Sequence, residues 1–145
     1  IEKGYKCLNK KIVNKKDYWS LSGSHDGYLS NYGIIHERNI EFFPDLNKII
    51  GKDKLIKKKN FKSSNFEIRF HLMPNAKVTK TQEGKSVLIE LENSGWRFFC
   101  KDHKLDVETG LYFGKKNSYT ENQNIFITGI SQKDDQEIRW EISKI

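Results

Sequence analysis

Phe66-Glu67-Ile68-Arg69-Phe70-His71-Leu72 is the stretch that decides the fold. Apolar and polar side chains alternate one by one. An extended chain therefore puts Phe66, Ile68, Phe70 and Leu72 on one face and Glu67, Arg69 and His71 on the other. The same period of two returns in Trp19 and Leu21, in Val87, Ile89 and Leu91, and in Trp96, Phe98 and Cys100. It returns again in Phe126, Thr128 and Ile130, and in Ile138, Trp140 and Ile142. Each run reads as a strand with one buried and one wet face.

Turn signals separate the runs: Ser24–Gly27, Pro44-Asp45, Pro74-Asn75, Glu83-Gly84, Asn93-Ser94-Gly95 and Lys133–Gln136. Helix signals are nearly absent. The chain has one Ala and one Met, and no long stretch keeps apolar residues at i, i+3, i+4 and i+7. Short strands at intervals of about ten residues predict an all-β fold, an antiparallel β-sandwich of about ten to twelve strands with little or no helix. Residues 1–145 are expected to form a single β-sandwich domain. No composition shift, repeat or heptad marks a second one.

The 145 residues include 39 Ile, Leu, Val and Phe, which is 27% and above the ~20% below which disorder is expected. The longest apolar runs, such as Leu111-Tyr112-Phe113, are far shorter than the roughly 20 residues of a spanning helix. The chain opens at Ile1 with no charged-then-apolar leader, and its one methionine is Met73, so it reads as a piece of a longer protein.

The net charge of +7 comes from 26 basic against 19 acidic residues. Only 4 of the basic residues are Arg and 22 are Lys, whereas base and phosphate readout favours the forked guanidinium. The chain also holds 12 Asn and 16 Ile, so A/T-rich codons account for much of the lysine excess. Nucleic acid is therefore a disfavoured partner. Lys57-Lys58-Lys59 reads as a solvated loop. Cys7 and Cys100 match no metal or redox spacing and read as two buried free thiols.

No catalytic signature stands out. Ser24-His25-Asp26-Gly27-Tyr28-Leu29 gathers a proton carrier, a carboxylate and a phenol within four residues. Asp26-Gly27 is equally ordinary turn chemistry. In Ile34-Ile35-His36-Glu37-Arg38-Asn39-Ile40, His36 and Arg38 share a strand face with Ile34, Ile40 and Phe42. An Arg on that face needs a carboxylate partner or a cleft. Arg69 and His71 form a second such pair, and the two strands are expected side by side as a small polar cluster. That cluster reads as a structural network, an anion cleft, or a metal site if His36, Asp53 and His71 converge. Trp96 and Trp140 read as core. Trp19 and Tyr28 are candidates for an exposed platform that stacks on sugar rings.

The order of His25-Asp26-Gly27-Tyr28, His36-Glu37-Arg38, Ile50-Gly51-Lys52-Asp53-Lys54-Leu55 and Arg69-Phe70-His71-Leu72-Met73-Pro74 resembles the C-terminal part of bacterial heparinase II/III-like polysaccharide lyases. Trp96-Arg97-Phe98 and Ile138-Arg139-Trp140-Glu141-Ile142 continue the resemblance, which runs from about Trp19 to the end. It implies an N-terminal α/α toroid packed on antiparallel sheets, and β-elimination on acidic polysaccharides. The family's catalytic Asn, His and Tyr and its metal-binding segments have no counterpart here and would precede Ile1. No catalytic or metal role is transferred, and no cofactor is expected. His25, Asp26, Tyr28, His36 and Arg38 match the family pattern and are the substrate-binding candidates.

The resemblance thus implies a C-terminal β-sandwich that supports the toroid or the substrate cleft and is not catalytic alone. The partners it implies are an acidic polysaccharide and the missing toroid, with no membrane. The alternative is a free-standing carbohydrate-binding module for acidic glycans. Open sheet edges would also allow a homo-oligomer. The compartment stays open between bacterial periplasm and cytoplasm.

Overall fold

The computed structural model describes residues 4–145. The described chain is built from strands: β1 (Cys7–Asn14), β2 (Trp19–His25), β3 (Ile34–Phe43), β4 (Lys48–Lys57), β5 (Asn65–His71), β6 (Lys77–Lys80), β7 (Ser86–Leu91), β8 (Ser94–Phe99), β9 (Leu105–Lys115), β10 (Ser118–Ile130) and β11 (Gln136–Lys144). The one α-helix among the described residues is α1 (Leu29–Tyr32), a single turn. The all-β antiparallel expectation holds, and the six turn signals all fall at strand ends or between strands.

The chain divides into two compact units. The first comprises the described residues of Ile1–Phe66 together with Ile130–Trp140. Its sheet runs β1-β2-β3-β4, with β11 next to β4. The ladders are regular across β2, β3 and β4: Trp19 lies opposite Phe42 and Phe42 opposite Ile49, and Leu21, Ile40 and Gly51 form the next row. Ile34, Leu55 and Ile138 are buried. Two glycines are required here. Gly33 ends α1 in the left-handed region at φ 65°, pressed against the backbone of Asn60 and Phe61. Gly51 lies under the indole of Trp140, where any Cβ would overlap the ring.

The second unit comprises Glu67–Gly129 and Glu141–Ile145. It contains two sheet segments, β5-β10-β9 and β11-β8-β7-β6. They face each other as a sandwich: the Phe70 ring on β5 meets the Phe98 ring on β8 edge-on, 4.7 Å between centroids. Between them Val87, Phe98, Ile125 and Ile127 are fully buried, with Leu105 and Cys100 beside them. Alternation translates into this apolar layer in β5, β7 and β8. In β10 the expected face of Phe126, Thr128 and Ile130 is the wrong one: Ile125 and Ile127 point into the layer, while Thr128 and Ile130 are exposed.

Three local expectations are corrected. Lys57 is not a loop residue: it closes β4 and is half-buried, with Nζ bonding Leu55 O and Gln136 Oε1. Its amine is pushed below the usual lysine range by burial. Cys100 is buried, but Cys7 is exposed, because it opens β1 at the edge of its sheet. Trp140 is core as expected, whereas Trp96 is only half-buried.

Candidate functional site

One face of the β2-β3-β4 ladder carries the chemistry. Successive rows place Trp19, Phe42 and Ile49, then Leu21, Ile40 and Gly51, then Gly23, Arg38 and Asp53, then His25, His36 and Leu55. The period of two is what brings them to one side. Ile12 on β1 extends the second row, opposite Leu21. The face is thus aromatic and aliphatic at one end and ionic at the other. Trp19 and Leu21 are 41% and 45% exposed, so the apolar end is open to solvent.

Asp53 is the anchor. It is fully buried, and a charge there needs partners. His36 Nε2 lies 2.6 Å from Oδ1, Arg38 Nε donates to the same oxygen at 2.7 Å, and Trp140 Nε1 donates to Oδ2 at 2.7 Å. Burial alone would raise this carboxyl. The bonds from His36, Arg38 and Trp140 and the guanidinium charge outweigh it, holding the group below the ordinary carboxylate range. Arg38 also lies over the Trp140 ring, 6.0 Å from its centroid.

The network continues outward. His25 Nε2 meets His36 Nδ1 at 3.2 Å, and the backbone N–H of Gly27 donates to His25 Nδ1 at 3.2 Å. Those partners assign the tautomers. His25 Nδ1 accepts, so its proton sits on Nε2 and is donated to His36 Nδ1, and His36 donates from Nε2 to Asp53. The relay is directional, from the surface turn to the buried carboxylate. Burial holds His25 below the ordinary histidine range, His36 lowers it further, and Asp26 opposes both.

Two phenols frame the outer end. The Tyr28 ring meets His25 edge-on at 5.2 Å, and the Tyr5 ring lies at 5.4 Å. They are 49% and 68% exposed. Asp26 turns away from the relay: Oδ1 accepts from the Lys6 N–H at 2.6 Å and ties β1 to the turn. Asp26 is therefore a turn residue first, and the other four candidates share one surface. The residues missed from sequence are Tyr5 and Trp140. Tyr5 lies twenty positions from His25, and the polar role of Trp140 was hidden by its apolar strand pattern.

The expected second Arg/His pair does not join this cluster. β3 pairs with β2 and β4, whereas β5 pairs with β10. Arg69 bonds Glu67 and Glu108, and His71 Nδ1 meets Asn124 Oδ1 at 2.9 Å. His36 and Asp53 do converge, but their donor atoms face each other rather than a common point. Among the described residues no three His, Cys, Asp or Glu side chains are set for a metal ion.

The reverse face of the same sheet is different in kind. It forms an open groove of about 460 Å³ lined by residues such as Lys11, Asn39, Lys52 and Lys54 with Glu37, Glu41 and Glu137. Lys54 lies 4.0 Å from Glu37 and 3.8 Å from Glu137, so its charges largely neutralise one another.

Comparison with known structures gives the fold a place. The heparan sulfate lyase HepC from Pedobacter heparinus superposes with a TM-score of 0.81 at 12% identity, over 96% of this chain and 22% of that one. The heparinase III known as the BT4657 gene product gives 0.74 at 13% identity, over 97% and 22%. This chain thus spans about a fifth of the length of these proteins. No curated protein matches it in sequence. The family model described as heparinase II/III-like, C-terminal, matches residues 5–141, and the chain therefore belongs to that family as its C-terminal β-domain.

Proposed function

We propose that this β-domain forms one wall of the polysaccharide cleft of a longer lyase and is not catalytic alone. The observation that carries the reading is the Asp53-anchored relay, which sets Arg38, His36 and His25 in fixed positions on a face whose other end is an open aromatic surface. A buried carboxylate bonded to three side chains is a costly way to hold a sheet together and a good way to fix the Arg38 guanidinium and the imidazole relay in place. An acidic glycan has the matching chemistry. Its sugar rings stack on Trp19 and Tyr28, and its carboxylates or sulfates lie toward the Arg38 and His25 end. The parent enzyme would act by β-elimination, taking the proton beside a uronate carboxylate and leaving an unsaturated sugar.

The test is binding of this chain to a panel of acidic and neutral oligosaccharides, with single-stranded DNA as the polyanion control, at low and physiological salt. Saturable binding to one acidic glycan that survives salt and falls in Trp19→Ala and Tyr28→Ala is expected. Binding equal to that of DNA and lost with salt would reduce it to counterion release. Formation of unsaturated uronate by this chain alone would overturn the non-catalytic assignment. A free-standing module for acidic glycans remains the second reading, favoured by the exposure of Trp19 and Tyr28. Full affinity in this chain by itself would support it over a cleft wall completed by other parts of a lyase.

A further inference from the structure

We propose that β9 is a self-association edge through which two copies of this chain pair antiparallel. In the order β5-β10-β9, the ladder partner of β9 is β10 and its other edge is open. At its start Leu105 N–H donates to Gly84 O and Lys80 reaches Asp106. From Val107 onward no backbone partner lies on that side among the described residues. An open edge is a row of unpaired donors and acceptors, and proteins normally guard it.

The other edges of the molecule are guarded. β1 carries Asn9 at φ 48°, a break in register between Leu8 and Lys11, and the adjacent charges Lys10 and Lys11. β6 is four residues long with a lysine at each end. β5 carries Glu67 and Arg69, whose ion-pair network also takes in Glu108 of β9. β9 has a register shift of its own, where Tyr112–Lys115 faces Ser118–Thr120, and carries Asp106 and Glu108 near its start, but it is eleven residues long, has no proline, and its only lysine is the final residue. Leu111 and Phe113 stand on it 51% and 71% exposed, with Tyr119 of β10 beside Phe113 at 6.1 Å.

Charge selects the direction. Asp106 and Glu108 lie at one end of β9 and Lys115 and Lys116 at the other. Asp106 already pairs with Lys80 and Glu108 with Arg69, but their side chains remain 57% and 43% exposed. A parallel pair would set lysines against lysines. An antiparallel pair brings the basic end of each copy toward the acidic end of the other. A two-fold axis near Tyr112 places Leu111 of one copy opposite Phe113 of the other, twice, as a closed isologous contact. The occupant is therefore a second copy of this chain.

Sedimentation equilibrium of this chain from micromolar to millimolar concentration tests it. The expected mass rises from 17.1 kDa toward twice that value. Leu111→Lys/Phe113→Lys places charge at two exposed positions, so the far-ultraviolet spectrum should be unchanged while the mass stays monomeric. Ile12→Lys on the guarded β1 edge should dimerise like the parent. A monomeric parent across the whole range overturns the proposal, as does a dimer that survives the double substitution or is lost in Ile12→Lys.

Discussion

The two units bury different things. The first is organised around Asp53, a carboxylate with no solvent exposure and three side-chain donors. The second is organised around Val87, Phe98, Ile125 and Ile127, all fully buried and apolar. The apolar layer needs only area and fit to be stable. The ionic centre needs every donor in place, because desolvating buried charges can cost as much as their Coulomb attraction returns. A chain selected for stability alone has little reason to bury an aspartate there. The difference teaches that the first unit spends stability on the position of particular side chains, and those side chains open onto a surface.

The largest expected effects come from breaking each centre. Asp53→Ala leaves Arg38, His36 and the Trp140 N–H without their acceptor and should cost about 3–5 kcal/mol. Phe98→Ala should cost a similar amount, about 3–5 kcal/mol, through the cavity it opens. Urea unfolding at neutral pH would show both. Acid tells them apart. The Asp53 carboxyl is held below its unfolded value, so its contribution is present above that value and lost as pH falls through the lower, folded one. Asp53→Ala should therefore converge on the parent in strong acid, whereas Phe98→Ala keeps its deficit. Equal behaviour of the two variants across pH would break the distinction drawn between the centres.

Gly51→Ala should follow in size. The added methyl overlaps the Trp140 indole, and that ring also donates to Asp53. Overpacking of this kind costs about 1–3 kcal/mol. The informative result is where the loss appears. If the indole shifts, the Trp140–Asp53 bond goes with it, and the carboxyl of Asp53 should titrate nearer its ordinary value by NMR. An unchanged titration would mean that the sheet yields instead, and that the ionic centre is less tightly coupled to the packing above it.

A smaller effect concerns the outer end of the relay. Burial holds His25 below the histidine value of about 6.5, so the unfolded chain takes a proton before the folded one does. Folding stability should thus decline as pH falls from about 6.5 toward the folded value of His25. His25→Asn should flatten that part of the stability–pH curve and leave the acid limb set by Asp53. An unaltered curve would show that His25 binds its proton as strongly in the folded chain as in the unfolded one.

Much of this was legible in the sequence, for physical reasons that can be named. Phe66–Leu72, Val87–Leu91 and Ile138–Ile142 alternate cleanly because each contributes one face to a core, so strand assignment and the all-β class follow from period alone. His36 and Arg38 announced a need for a carboxylate, because an arginine among Ile34, Ile40 and Phe42 cannot stand alone. Which carboxylate was not legible. Asp53 lies fifteen residues beyond Arg38, and only the register of β3 with β4 sets them opposite. Trp140 reads as core from its neighbours, and nothing local reveals that its N–H reaches Asp53. Pairing β3 with β5 failed for the same reason. Alternation says which face a residue takes, but not which strand lies next to it.

The smallest effect expected tests the comparison from its weak side. Lys80 and Asp106 form the second unit's exposed counterpart to the buried pair, Nζ to Oδ1 at 3.0 Å with side chains 44% and 57% exposed. The bond from Lys80 draws the Asp106 carboxyl below its usual range, but water screens both groups. Lys80→Ala should cost about 0.2–1 kcal/mol, and less as salt is added. The deficit of Asp53→Ala should be much less sensitive to salt, since the carboxylate itself has no solvent exposure. Measuring both variants across a salt series therefore separates burial from charge. If the two deficits fall in parallel with salt, Asp53 is effectively a surface group, and the argument that the first unit holds a preorganised site fails with it.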